Sequence, residues 1–332
     1  MSVSDVKKDK LVTIAFIADD IGQFSEFEFN HNSTFALMLA AQEVGAKILF
    51  AKSSKLKVFN NKICALFEEV IPKKKYPNYI EIVRACELSL DSVDVLFARK
   101  DPPINESYFS YIQLLYLGSQ STNTLVVNNP LGIMKANEKL YPLNFPNLIP
   151  KTIVTSNIEE VLNFLEEHGE AVIKPLFAKG GEGVFYLNKN SKNNNSILES
   201  FVSSSNKTII VQKYIPEVIN GDKRIVLLNG EPLGGIYRVP DVRDFRASVR
   251  HGAKIKPCDL SKRDLEICQT LKPHLIKEGL YFASIDLIGD YLIEINVTCP
   301  ASLQEVERAT GRKAAREIVE WSVSHCLQKI CL

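Results

Sequence analysis

The 332-residue sequence contains no apolar run long enough to cross a membrane, and it starts MSVSDVKKDK, polar and charged where a secretion signal would be apolar. Net charge is also lacking. Lys and Arg total 40 against 39 Asp and Glu, so no whole-chain field recruits nucleic acid or an anionic membrane, and any positive site must be local. The seven cysteines (Cys64, Cys86, Cys258, Cys268, Cys299, Cys326 and Cys331) include no C-x-x-C pair and no zinc-finger spacing. That odd, scattered set fits free thiols in a reducing cytoplasm better than a disulfide framework. There is no G-x-x-x-x-G-K-[ST] phosphate loop, no serine elbow and no paired Cys/His signature. No histidine has a ligand partner at i+2 to i+4, and His31, His168, His274 and His325 are expected on the surface or in the core. What remains is a cytoplasmic enzyme or binding protein, 45% apolar and 24% charged, too long for one ordinary core.

The order of apolar segments gives the architecture. LVTIAFIA at 11–18 is a continuous β-branched run that ends in Asp19 and Asp20, which predicts a buried strand opening into a loop. STFALMLAAQEV at 33–44 has helical spacing, with Gly45 placed to stop it. KILFA, DVLFA and TLVVN follow as strands, so residues 1–127 are expected to form a doubly wound parallel sheet. Ligands of such sheets sit at the carboxyl ends of the strands, here Asp19, Asp20 and the segment Arg99-Lys100-Asp101-Pro102-Pro103. A helix-like stretch around Met134 to Leu140 opens a second region, 128–205, with TIVTS, the helix IEEVLNFLEEHG, and the strands AVIKPL and VFYL. NKNSKNNNS reads as an exposed connection. A third region, 206–332, holds TIIVQKYI, a hairpin around Asn229-Gly230, a basic loop from Pro240 to Pro257, a helix at 261–279, the pair ASIDLIG/YLIEINV and a terminal helix.

Four groups of residues carry candidate chemistry. Asp286 lies in an apolar strand, and Glu294 and Asn296 are two apart on the next, so a turn at Gly289-Asp290 brings three oxygens together. Two carboxylates and an amide suit a hard cation; a polar strand face or a structural ion pair would use the same residues. The segment Ala178-Lys179-Gly180-Gly181-Glu182-Gly183 follows Lys174-Pro175, and its backbone can approach an anion, although a plain hairpin would also use these glycines. Arg224 precedes the hairpin; Arg238, Arg243, Arg246, Arg250, Lys254 and Lys256 follow it, a local density of cations suited to a multiply charged anion. With Phe245 as the one stacking residue in the loop, phosphate is favoured over nucleic acid. Fourth, two prolines after Arg99-Lys100-Asp101 pin those side chains at the sheet's ligand edge.

These stretches are where the chain resembles the bacterial-type glutathione synthetases of the ATP-grasp family. RKDPP (99–103), LVVNNP (125–130), NEKL (137–140), VIKPL (172–176), GDKR (221–224), NGEP (229–232) and IDLIGDYLIEINVT (285–298) occur in order, within a correspondence from about 11 to 310. The resemblance implies an α/β ATP-grasp fold: an N-terminal doubly wound domain and two α+β lobes enclosing ATP. It implies that Lys139 and Lys174 contact ATP phosphates under the glycines Gly180, Gly181 and Gly183. Gln212, Lys213, Tyr214 and Ile215 would line the adenine pocket, with Asp222 toward the ribose. Asp286, Glu294 and Asn296 would hold Mg²⁺, with Mn²⁺ as the alternative, and Arg224, Arg238 and Arg246 would face the transferring phosphate and acyl substrate. The implied reaction joins γ-glutamylcysteine to glycine through an acyl phosphate, in a cytoplasmic homo-oligomer acting on small molecules.

The resemblance also fits the missing nucleophile motif. Phosphorylation supplies the leaving group, so the protein must position and neutralise charge, and a closing lid must exclude water; 240–256 and the glycine segment are the lid candidates. Departures from the family pattern cluster near the acceptor and lid: Ser248 stands for an Asn, and Cys299 and Ala301 for a usual Ser and Thr. They motivate a second reading, a divergent ligase acting on another γ-glutamyl or amino-acid carboxylate. A third is a nucleotide-binding module without catalysis.

Overall fold

A computed structural model describes residues 11–202, 207–242, 244–247, 249 and 252–330. Arg243, Ser248, Arg250, His251 and Cys331 lie outside the described residues. Among the described residues no helix is long and apolar enough to cross a membrane.

The N-terminal sheet has seven strands: β1 (Thr13–Ala18), β2 (Lys47–Lys52), β3 (Lys57–Phe59), β4 (Lys62–Pro72), β5 (Ile80–Ser89), β6 (Val95–Ala98) and β7 (Leu125–Val127). Strands β2-β1-β6-β7 are parallel, with Ile14 facing both Ile48 and Val95. Alternation along β1 feeds two cores. Ile14 and Phe16 join Leu37 and Met38 of α2 (Ser33–Glu43), whereas Ala15 and Ile17 join Tyr108, Tyr111 and Leu115 of α3 (Glu106–Ser121). Helices therefore cover both faces, as a doubly wound unit requires. Helix α2 starts where the Asn32 side chain accepts from the Phe35 amide at 2.9 Å and stops before Gly45, whose φ of +75° favours glycine. The short helix α1 (Glu26–His31) precedes it.

The sheet is wider than the sequence suggested, because β3, β4 and β5 extend it as antiparallel strands. Most of β5 is exposed, so it shows no apolar alternation by which to recognise a strand.

The expected helix around Met134–Leu140 is displaced. Helix α4 spans Pro130–Lys135, and the Asn137 side chain then accepts from the amides of Lys139 and Leu140, both at 3.0 Å. An asparagine that binds nearby amides this way competes with helix, and the resulting turn presents Lys139. Gly132 of α4 approaches the chain at Glu278 so closely that a Cβ would lie 2.1 Å from the Glu278 carbonyl oxygen. Gly132→Ala is accordingly expected to lose about 1–3 kcal/mol, read as a lower denaturation midpoint at unchanged m.

Two antiparallel sheets follow. The four-stranded one has the order β10-β9-β11-β8, from β8 (Thr152–Thr155), β9 (Glu170–Pro175), β10 (Phe185–Asn188) and β11 (Ile209–Lys213), and packs with α5 (Ile158–His168) around its own core. The polar connection is largely exposed, but its end opens α6 (Asn194–Val202) and Asn194 is buried. The five-stranded sheet runs β14-β13-β12-β15-β16, from β12 (Asp222–Leu228), β13 (Glu231–Val239), β14 (Lys254–Cys258), β15 (Phe282–Ile288) and β16 (Tyr291–Asn296). Asn229 and Gly230 take φ of +51° and +78°, the left-handed pair of a tight hairpin. Helices α7 (Lys262–Lys277) and α8 (Leu303–Thr310) flank this sheet, and α9 (Ala314–Ile330) returns to pack on α2 through Ile318, Val319 and Cys326.

Candidate active site

A cleft of about 930 Å³ opens where the three sheets meet. Its floor is set by strand register. Asp286 on β15 faces Glu294 on β16 and Arg224 on β12, while Asp222 on β12 faces Arg238 on β13. Arg224 donates from Nε and Nη2 to the two Asp286 oxygens at 2.8 and 2.7 Å. Arg238 donates to both oxygens of Asp222 and reaches Asp286 Oδ2 at 3.1 Å. The Asn296 amide nitrogen lies 3.3 Å from the same Asp286 oxygen, which turns the Asn296 amide oxygen away from it.

Two guanidiniums and two carboxylates thus form one buried, nearly neutral quartet. Burial alone would raise Asp286, but Arg224 and Arg238 outweigh it and hold that carboxyl well below the usual range. Burial pushes Asp222 up to about 6. Since both its oxygens serve Arg238, any contact of Asp222 to a ribose would use the remaining lone pairs.

Above the quartet sit two lysines, each 7% exposed. Lys139 Nζ donates to the Ala178 carbonyl at 2.7 Å and lies 3.7 Å from Glu294. Lys174 Nζ donates to Gln212 Oε1 at 2.7 Å, and burial lowers its pKa despite the opposing charge of Glu294. Gly180 and Gly181 line the cleft beside Lys179 and Glu182. Gly183 is not part of the lining; its φ of +67° turns the segment against Pro175, 2.7 Å from where a Cβ would be. On the other wall Gln212, Lys213, Tyr214 and Ile215 meet Val172, Val218 and Ile293, an apolar slot between two sheets with the Gln212 amide at its edge.

The basic loop divides. Arg246 lines the cleft, bound to Asp244 at 2.6 Å and donating to the Gly181 carbonyl at 3.1 Å. Lys254 and Lys256 instead lie exposed on β14, outside the lining, so not all the cations clustered in sequence converge. On the role that the resemblance implies for it, Arg246→Ala is expected to lower kcat about 10²-fold while the KM for ATP changes less than about threefold. A selective loss of ATP affinity in initial-rate kinetics would place Arg246 elsewhere.

At the far end the N-terminal sheet contributes Asp19, Asp20, Arg99, Asp101 and Pro102. Lys100 turns away to Asp19 and Ser53, at 2.9 and 3.0 Å. Arg99 donates to Thr34 Oγ1 and the Pro300 carbonyl, at 3.1 and 2.8 Å, but its buried Nη1 has no partner. Cys299 and Ala301 line this end, and burial pushes the Cys299 thiol well above its usual value.

His31, Glu305 and Glu138 are among the lining residues given no role on the sequence. His31, expected on the surface or in the core, bonds Glu305 at 2.7 Å, while Glu305 Oε2 is buried without a partner. Glu138, the acid of NEKL, accepts from the Val297 amide at 2.9 Å, the Thr298 amide at 3.0 Å and the Thr298 hydroxyl at 2.8 Å, fixing the chain just after Asn296. The motif could have drawn attention to Glu138; nothing local signalled His31 or Glu305.

The fold is that of the ATP-grasp ligases. D-cycloserine synthetase DcsG superposes with a TM-score of 0.67 at 11% identity, covering 94% of this chain and 99% of that one. The ATP-grasp ligase PsnB, solved with a minimal precursor, Mg and ADP, gives 0.60 at 13%, covering 96% and 99%. Residues 12–133 match the prokaryotic glutathione synthetase N-terminal domain and 138–311 its ATP-grasp domain, so the chain belongs to the prokaryotic glutathione synthetase family. Glutathione synthetase of Thermosynechococcus vestitus is 37% identical over 320 residues, 94% of this chain and 99% of that protein. Those of Gloeobacter violaceus and Agrobacterium fabrum are 39% and 34% identical over 318 and 305 residues, covering 94% and 92% of this chain and 97% and 95% of theirs.

Proposed function

We propose that the protein is an ATP-dependent ligase that joins γ-glutamylcysteine to glycine, releasing glutathione, ADP and phosphate. The observation that carries this reading is the meeting, in one cleft, of the lysine pair, the arginine–carboxylate quartet and an acyl end with one buried donor and one buried acceptor left unpaired. Arg99 Nη1 and Glu305 Oε2 suit the carboxylate and ammonium of an amino-acid group, which the γ-glutamyl end of the dipeptide carries. In this reading residues 1–127 supply Arg99 to that end and 206–332 supply Glu305, while the lobe of 128–205, completed by β11, and the lobe of 206–332 hold ATP between them, in a cytoplasmic homo-oligomer.

ATP enters with its base in the slot at Gln212, Lys213, Tyr214 and Ile215 and its phosphates toward Lys139, Lys174, Gly180 and Gly181. Asp286 and Glu294 would hold Mg²⁺, or Mn²⁺ in its place, joined by the Asn296 amide oxygen once that amide turns over from its contact with Asp286. Among the described residues no three His, Cys, Asp or Glu side chains cluster as a metal site, so the set is two carboxylates and an amide. That is an all-oxygen donor set fit for a hard cation, which when bound neutralises the phosphate charge.

The cysteinyl carboxylate attacks the γ-phosphorus, the bond to the ADP oxygen breaks, and Arg224, Arg238 and Arg246 balance the charge on the moving phosphoryl group. Glycine's amine then adds to the acyl carbon and expels phosphate. The test is ADP release with Mg-ATP and γ-glutamylcysteine, with glycine present, absent or replaced by other small amines. Strong dependence on both γ-glutamylcysteine and glycine is expected; release only with another pair would leave a ligase of different substrate.

A further inference from the structure

The glycine segment is attached to the rest of the molecule mainly through its backbone. Lys139 Nζ takes the Ala178 carbonyl, Arg246 takes that of Gly181, and Asn137 takes that of Leu176 at 3.3 Å. Among the described residues one side chain of the segment makes an ion pair: Lys179 Nζ lies 2.6 Å from Asp101 Oδ2. The two charges belong to different units. Lys179 follows β9 of the four-stranded sheet, whereas Asp101 follows β6 of the N-terminal sheet, just before Pro102, with the Cys299 thiol as a further partner. Nearby, the Ile104 amide reaches the Phe177 carbonyl at 3.4 Å. The pair is half-buried, at 29% and 42% side-chain exposure, and both residues line the cleft where its phosphate end meets its acyl end.

We propose that Lys179 and Asp101 form a latch holding the glycine segment shut across the boundary between the nucleotide and acyl-substrate ends of the cleft, so that the activated acyl group meets the amine before it meets water. This rests on the ligase reading above. The competing step is hydrolysis: water oxygen bonds to the acyl carbon, the carbon–oxygen bond to phosphate breaks, and the free carboxylate and inorganic phosphate leave. ADP is then released with no amide formed. An ion pair this exposed is weak, which suits a closure that must open in every turnover.

Two readouts test the latch, on Lys179→Met, Asp101→Asn and the double variant. Amide hydrogen exchange over 177–184 in the full-length protein needs no turnover. It should quicken about fivefold in either single variant, equivalent to about 1 kcal/mol, and no further in the double. With Mg-ATP, γ-glutamylcysteine and glycine, amide formed per ADP should fall from about one to about a half in all three. Unchanged exchange in the single variants, or effects that add in the double, would overturn the latch. Wild-type protein that makes no amide would instead overturn the substrate assignment, and exchange would still decide the latch. One amide per ADP in every variant, with exchange quickened, would show that the contact exists but does not guard the intermediate, and would overturn the proposal in that form.

Discussion

Glu294→Gln is expected to lower turnover at ordinary Mg²⁺ concentrations by about 10²–10³-fold, while the melting temperature stays within about 2 °C of wild type. The asymmetry follows from the surroundings of the side chain. Glu294 is 22% exposed, and its ion pair to Lys139 spans 3.7 Å, so little of the fold depends on its charge. Gln keeps the shape and removes a formal charge from the proposed metal set. Raising Mg²⁺ or substituting Mn²⁺ should recover part of the rate. Wild-type turnover at low Mg²⁺ would refute the assignment of this carboxylate.

Asp286→Asn should behave differently, although both residues belong to the proposed metal set. Asp286 is 5% exposed, and its two oxygens serve Arg224, Arg238 and Asn296. Removing its charge leaves two buried guanidiniums with Asp222 as their remaining carboxylate in the quartet. Breaking such a buried network costs about 3–5 kcal/mol, or about 6–20 °C in melting temperature. Turnover should be lost as well. The sign with pH is fixed: a carboxyl held below its ordinary value stabilises the fold above about pH 4 and loses that effect as acid protonates it. The stability gap between wild type and variant should therefore be full near neutrality and shrink in strong acid. Thermal melts at several pH values check this, and a gap that widened in acid would contradict the assigned charge state.

The part of the molecule legible in sequence is the part with strict local rules. Continuous β-branched runs gave the parallel strands, Asn229-Gly230 the hairpin, and the two-residue spacing of Glu294 and Asn296 their shared face. The β4–β5 extension was not legible, because an exposed strand has no buried face to impose alternation. Charge density misled in part: Lys254 and Lys256 looked equivalent to Arg246 in the chain, but strand pairing carries them to an open edge. His31 and Glu305 were illegible for another reason. They meet across 274 residues, and a contact that distant leaves no trace in spacing.

The return of α9 to the N-terminal sheet has a consequence for synthesis. Helix α2 is complete by Glu43, yet the helix that packs on it begins at Ala314. At ordinary elongation rates the ribosome takes on the order of tens of seconds to cover that interval. Throughout it the apolar face that α2 presents to Ile318 and Val319 has no native cover. The first domain to emerge is thus among the last to be finished, and a nascent chain stalled before α9 would present that face to chaperones.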